Sequence, residues 1–263
     1  MTLEPIQYLL GLASGALVGF SLGLLGGGGS ILALPLIVYL VGVGNPHIAI
    51  GTSAFAVAVN AGIGLFHHAW TRNVNWRCGG MFAAAGILGA AIGSTLGKLV
   101  DGEKLLFLFA LVMLAVGTLM LRRRDNPGNP DAECTGAKAP KVIGFGLGSG
   151  LFSGFFGIGG GFLIVPSLMV TTEMPVLLAV GTSLIAITAF GLTTAVNYAL
   201  SGLIDWPLGL LLVFGGAAGS FVGKWFGRGL NAQTGRLTIV FAVLIFAVAV
   251  YMLWRCAQTY FSM

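Results

Sequence analysis

Apolar and polar positions alternate along the chain in long blocks. Apolar runs fall at about 5–25, 30–44, 47–69, 77–99 and 103–121, and again at 142–156, 161–172, 177–199, 206–227 and 236–254. Most are long enough for helices that cross a bilayer, which takes roughly 20 apolar residues. One polar stretch, Arg122 to Lys141, separates the two groups of five and is the only clear linker. The expected organisation is a first membrane repeat over 1–121, a linker over 122–141 and a second repeat over 142–263. The second run of each half is short, follows a glycine cluster and contains a proline, Pro35 or Pro166. Proline removes a helix donor and crowds the preceding turn, so these two pieces are expected to be tilted, broken or re-entrant helices.

The halves repeat one another. Gly26 to Gly29 and Pro35 match Gly157 to Gly160 and Pro166 at an offset of 131. Gly51-Thr52-Ser53 matches Gly181-Thr182-Ser183, and Trp76 matches Trp206, at 130. Gly86, Gly89, Gly93, Gly97 and Lys98 match Gly216, Gly219, Gly223, Gly227 and Arg228 at the same offset. Agreement over so many Gly, Pro, Thr and Trp positions marks an internal duplication. An odd number of crossings per repeat would make the two repeats inverted.

Composition narrows the class. Of 263 residues 57% are hydrophobic and 8% charged, against about 25% charged in soluble domains. Mean hydropathy is +0.97. An ordinary soluble globule, a disordered chain and an appended ATPase are all excluded. The net charge of +5 does not indicate nucleic acid, because the basic residues sit at the ends of apolar runs and form no stripe. With five crossings per half, ten of the basic residues fall on the linker side and three (Lys98, Lys104, Arg255) on the other. Fusing the first two segments into one crossing would change the split to eight against five. The excess of Lys and Arg in cytoplasmic loops favours the first count, with the linker in the cytoplasm and both termini outside. Cys78, Cys134 and Cys256 are isolated, with neither disulfide nor zinc spacing. Met1 to Gln7 has no basic leader region, so the first run is read as a span.

Candidate chemistry is sparse. No Asp or Glu lies in the middle of a run; Glu4, Asp101, Glu103, Glu173 and Asp205 sit near segment ends. A carboxylate relay is therefore poorly supported, while an anionic substrate meets no repelling lining. His67 and His68 close the third run and are candidates for a titratable or gating pair. Gly27, Gly28, Gly29 and Ser30, and Gly159, Gly160 and Gly161, are candidate substrate-binding residues. Glycine lets the backbone approach a ligand, and a helix N-terminus presents free N–H groups and partial positive charge to an anion. Thr52, Ser53, Thr182 and Ser183 are candidate hydroxyl donors, the alternative being a bond to a carbonyl one turn back. Asn60 and Asn197 do not align between halves. Glycines 86, 89, 93 and 97, three or four apart, are assigned to helix packing, and Trp76 and Trp206 to interfacial anchoring.

The glycine-rich loop, the proline a few residues on and the later Gly-Thr-Ser, present in both halves, resemble the TauE/SafE sulfite exporter family, also called the 4-toluene sulfonate uptake permease family. The resemblance runs from about Leu10 to Trp254. It implies carrier transport without ATP hydrolysis, of sulfite, sulfonates or related sulfur-containing organic anions, by a multi-pass protein of the bacterial inner membrane. Export is implied for some members and uptake for others. Gly27 stands where Ile158 does, and Ser30 where Gly161 does, so the two half-sites are expected to contribute unequally. The resulting expectation is an all-α polytopic membrane protein, a non-enzyme without cofactor or metal, exporting sulfite or an organosulfonate. Its expected partners are a small anionic substrate and the lipid bilayer, with no nucleic acid; a homodimer is compatible with the sequence. An anion channel, an uptake permease for sulfonate or thiosulfate, an intramembrane enzyme and an assembly subunit are the alternatives. The enzyme would need a nucleophile with a base, or a metal motif, at membrane depth.

Overall fold

The computed structural model describes residues 4–122, 138–229 and 234–261. They fold as α1 (Pro5–Leu25), a 3-10 segment (Gly26–Leu32), α2 (Ala33–Pro35), a π-helical turn (Leu36–Val41), α3 (Pro46–Trp70), α4 (Trp76–Leu99), α5 (Gly102–Arg122), α6 (Ala139–Phe156), α7 (Gly161–Thr172), α8 (Val176–Ala199), α9 (Trp206–Gly229) and α10 (Thr234–Phe261). The protein is all-α. Among the described residues five helical stretches are long and apolar enough to cross a bilayer: Pro5–Gly23, Pro46–Trp70, Trp76–Leu99, Val176–Ala199 and Trp206–Gly223. Only the ends of the 122–141 linker lie within the described residues.

Local chemistry sets most boundaries. Asn45 caps α3 by accepting the His47 N–H (2.9 Å), with Pro46 at the first helical position. Asn75 caps α4 by accepting from Cys78 N (3.1 Å), and the Asp205 carboxylate caps α9 by accepting from Leu208 N (3.0 Å). Such caps satisfy N–H groups that the helix itself leaves unpaired. The short second piece of the first half is broken: Pro35 has no N–H to continue the ladder, and a π-helical turn follows it until Gly42 (φ 83°) ends the helix. In the second half Pro166 stays inside a continuous α7, which has 12 residues. That is about 18 Å of helix, short of a hydrocarbon core of about 30 Å. Each short piece folds back on the helix before it. Gln7 Nε2 donates to Val41 O (3.0 Å) across the open end of the first hairpin. Lys138 Nζ donates to Thr172 O (3.3 Å) and pairs with Glu173 (3.5 Å) across that of the second.

The halves interleave instead of standing apart. α1 packs on α9 and α6 on α4; α3 pairs with α8, α5 with α10, and the 3-10 segment with α7. Exchanging the two halves maps this set of pairs onto itself. Glycines make the closest contacts. A Cβ at Gly15 would lie 2.5 Å from Leu212 O, and one at Gly146 would lie 2.6 Å from Phe82 O. Gly89 and Gly93 meet the backbone of Leu147 and Leu151, and Gly219 and Gly223 that of Ala16 and Phe20. With no hydrophobic drive between helices in lipid, such close approach supplies the association. α3 and α8 run antiparallel: Gly51, near the start of α3, lies on Leu203 O beyond the end of α8, and Gly181, near the start of α8, lies on Asn73 O beyond the end of α3.

Candidate functional site

The glycine loop of the second hairpin is the most constrained piece of backbone. Gly157 ends α6 at φ 65°, and Gly159 and Gly160 follow at 66° and 65°. Only glycine adopts this region at little cost. Gly160 is the N-cap of α7 and Gly161 its first residue. The first N–H groups of α7 have no intrahelical partner. The loop is buried between α3 and α8: a Cβ at Gly159 would meet Val57 (2.8 Å) and Ile187 (3.0 Å), and Gly157 lies against Ile50. Gly160 lies against Ser153, whose Oγ would be 3.1 Å from an added Cβ. Ser153 is 1% exposed, and its Oγ has no hydrogen-bond partner among the described residues. A buried hydroxyl without a partner costs about 1–3 kcal/mol, and this one stands beside a helix N-terminus.

The first glycine cluster differs. Gly27 and Gly28 lie in the 3-10 segment, and their surroundings fall outside the described residues. Gly29 packs on α1, where an added Cβ would lie 2.5 Å from Ser21 C. Ser30, where the second loop has Gly161, is fully buried and bonded. The 3-10 segment touches α7 and α8.

The two Gly-Thr-Ser motifs have reciprocal contacts. The Asp205 N–H donates to Thr52 Oγ1 (3.0 Å), and the Asn75 N–H donates to Thr182 Oγ1 (2.9 Å). Each threonine thus holds the N-cap residue of the fourth helix of the other half, and both threonines are fully buried. Ser53 Oγ donates to Ile50 O (2.9 Å) and to Gly157 O (3.2 Å), tying α3 to the second glycine loop. Ser183 Oγ donates to Val180 O (2.7 Å) within its own helix. His67 and His68 end α3 with their rings 6.2 Å apart, at the same end of the molecule as Asn73 and the start of α8. They are remote in sequence and in contact from the loop glycines.

Three features are missing from the expectations. Ser153 is one, because nothing in the sequence separates it from the other serines of the spans. The second is a wide cavity of about 1660 Å³ at the end where α4 stops and α5 begins, lined in part by His47, Lys98, Lys104, Arg255, Asp101 and Glu103. There Lys98 Nζ donates to Asn197 Oδ1 (2.7 Å), Asn197 O (3.2 Å) and Ser201 Oγ (2.9 Å), and Asn197 Nδ2 donates to Ser94 Oγ (2.6 Å). All of these acceptors are neutral, so the lysine charge is oriented but not cancelled. A sign was present in sequence, in a lysine at the end of one span and an asparagine inside another, but the pairing was not. The third is Cys78, which is disulfide-bonded although the spacing of the cysteines suggests no bond.

A family model described as sulfite exporter TauE/SafE matches residues 11–252, which takes in both glycine clusters and both Gly-Thr-Ser motifs. A probable membrane transporter protein of Xylella fastidiosa is 48% identical over 256 residues, covering 97% of each chain. The probable membrane transporter protein YunE of Bacillus subtilis is 28% identical over 278 residues, again covering 97% of each. A probable membrane transporter protein of Haemophilus influenzae is 31% identical, over 93% of this chain and 97% of its own. No solved structure matches the chain. With nearly its whole length matched, and relatives of the same span named as transporters, the chain belongs to the sulfite exporter TauE/SafE family of membrane transporters.

Proposed function

We propose that this transporter is a secondary carrier that exports a small sulfur-containing anion, sulfite or an organosulfonate, across the bacterial inner membrane. The anion sits at the Gly157–Gly161 loop, and the observation that carries the reading is Ser153. Its unpartnered, buried hydroxyl faces the loop at which α7 presents its first N–H groups. An oxyanion there accepts from the hydroxyl and the helix start together, and needs no side-chain cation. Gly157, Gly159 and Gly160 are buried, so the anion reaches the loop when the α6–α7 hairpin moves against α3 and α8.

The direction and arrangement follow from charge. The basic linker lies in the cytoplasm, the halves are inverted with respect to one another, and the cavity with Lys98, Lys104 and Arg255 opens outward. The antiparallel, reciprocal contacts of α3 and α8 support the inversion. An inside-negative potential favours anion exit by about 2.3 kcal/mol per charge per 100 mV. Export then proceeds without a coupled proton, in keeping with the carboxylates at segment ends.

The test is Ser153→Ala. Removing an unpaired hydroxyl leaves the packing in place, so stability without ligand is unchanged or slightly higher. Sulfite binding to purified protein weakens about tenfold, since a hydrogen bond to a charged group contributes about 1.5–3 kcal/mol. Unchanged sulfite, sulfoacetate and taurine affinity in this variant removes the anion from the loop. Gly159→Ala and Gly160→Ala are less discriminating than the sequence suggests. Both positions are packed as well as left-handed, so they lose stability under either reading.

A further inference from the structure

A second cavity, of about 680 Å³, lies between α5 and α6 with Leu163 of α7 at its base. Its α5 wall is Val112, Ala115 and Val116, and its α6 wall includes Gly144, Gly148 and Phe152. Among the described residues nothing lies within 4 Å of where a Cβ would stand on Gly144 or Gly148, so these glycines open a groove instead of seating a neighbouring helix. They are unlike every α6 glycine that faces α4, where Gly146, Gly150 and Gly154 all meet backbone. The flanking side chains Leu111, Ile143, Phe145 and Phe152 are each more than 40% exposed, as for a face turned to lipid.

Lys141 lines the linker-side end of this groove. It is exposed and makes no ion pair or hydrogen bond among the described residues. Its neighbour Lys138 is committed to Thr172 and Glu173. From Lys141 to Phe152 the groove follows eleven positions of α6, about 16 Å, which is the hydrocarbon depth of one leaflet. An apolar slot of one leaflet's depth, with one unpaired cation at its interfacial end, has the chemistry of a diacyl lipid with a negative headgroup. Basic pockets between spans are a recurrent place for such lipids.

We propose that the α5–α6 groove is a binding site for one anionic phospholipid of the leaflet on the linker side, with an acyl chain between Val116 and Gly148 and the phosphate at Lys141. No residue of Gly157–Gly161 lines the groove, although Phe152 and Leu163 at its deep end flank Ser153 and the start of α7. Lys141, which sets the headgroup preference, lies at the opposite end, so the proposal is tested apart from the transported anion.

Native mass spectrometry of the detergent-purified full chain, titrated with phosphatidylglycerol or phosphatidylcholine, tests this. The unaltered protein is expected to retain one phosphatidylglycerol more tightly than phosphatidylcholine. Lys141→Gln weakens phosphatidylglycerol about fivefold, the equivalent of about 1 kcal/mol per basic residue at the surface. It leaves phosphatidylcholine unchanged, and Lys141→Arg restores the preference. Gly148→Leu, which fills the groove, weakens both lipids at least tenfold while the lipid-free melting temperature is held; Gly144→Leu serves the same purpose at the next turn. Equal retention of the two lipids by the unaltered protein overturns the proposal. So does an undiminished preference in Lys141→Gln, undiminished retention in both leucine variants, or a stable dimer that closes the groove and carries no lipid.

Discussion

Thr52→Val and Thr182→Val distinguish two roles for the Gly-Thr-Ser motifs. Valine keeps the shape of threonine and removes its oxygen. At Thr52 this strands the N–H of Asp205, and at Thr182 the N–H of Asn75. A buried donor left unpaired costs about 1–3 kcal/mol. Both bonds are partly buried, so water replaces some of the loss and about 1–2 kcal/mol is expected at each site. The two sites lie at opposite ends of α3: Thr52 is near its start, while the turn held by Thr182 follows its end at Trp70. About 30 Å of helix separates them, so the double variant should lose the sum within about 0.5 kcal/mol. Thr→Ser at either position keeps the oxygen and should recover most of the loss. The assay is reversible unfolding in mixed micelles, with sulfite affinity measured on the folded fraction. The reasoning is refuted if the valine variants keep their stability while affinity falls, since the hydroxyls would then serve the substrate and not the joint between halves.

Other expectations follow from the same geometry. Gly89→Ala places a Cβ 2.7 Å from Leu151 N and should destabilise by about 1–3 kcal/mol; Gly80→Ala, in the same helix but with open space around it, should be neutral or stabilise by up to about 1 kcal/mol. Melting curves of the two variants decide whether the stripe is packed as described. Glu4→Gln, Glu173→Gln and Asp205→Asn should leave sulfite flux into proteoliposomes largely intact, because an asparagine caps α9 as well as an aspartate does; loss of flux at normal expression in any of them would reveal a coupled proton or cation. Impermeant thiol reagents added to intact cells should label cysteines introduced at the termini and spare those introduced between Arg122 and Lys141. The opposite pattern would reverse the orientation and with it the direction argued for the anion.

What the sequence determined by itself is the part of the fold that composition and local pattern control. Apolar runs place the spans, since a chain in lipid must satisfy its backbone internally and does so by helix. Asn45, Asn75 and Asp205 mark helix starts because a cap acts within three residues. The offsets of 130 and 131 reveal the duplication, and the three- and four-residue glycine spacing marks the packed face of α4. Tertiary structure decided which partner each group meets. Thr52 and Asp205 are 153 positions apart, and Lys98 and Asn197 are 99 apart; no periodicity encodes such pairs. The two proline segments looked alike, yet one breaks into 3-10, α and π turns while the other stays helical, because packing selects among states that differ by a few hydrogen bonds. Glycine tolerates either sign of φ, so only the fold distinguishes left-handed Gly159 from Gly89, which is packed on backbone, and from Gly148, which opens a groove. Ser153 and Ser183 are equally ordinary serines in sequence. Ser183 donates to a carbonyl of its own helix, and Ser153 is sealed beside a helix start without a hydrogen-bond partner among the described residues, a difference set wholly by what packs around them.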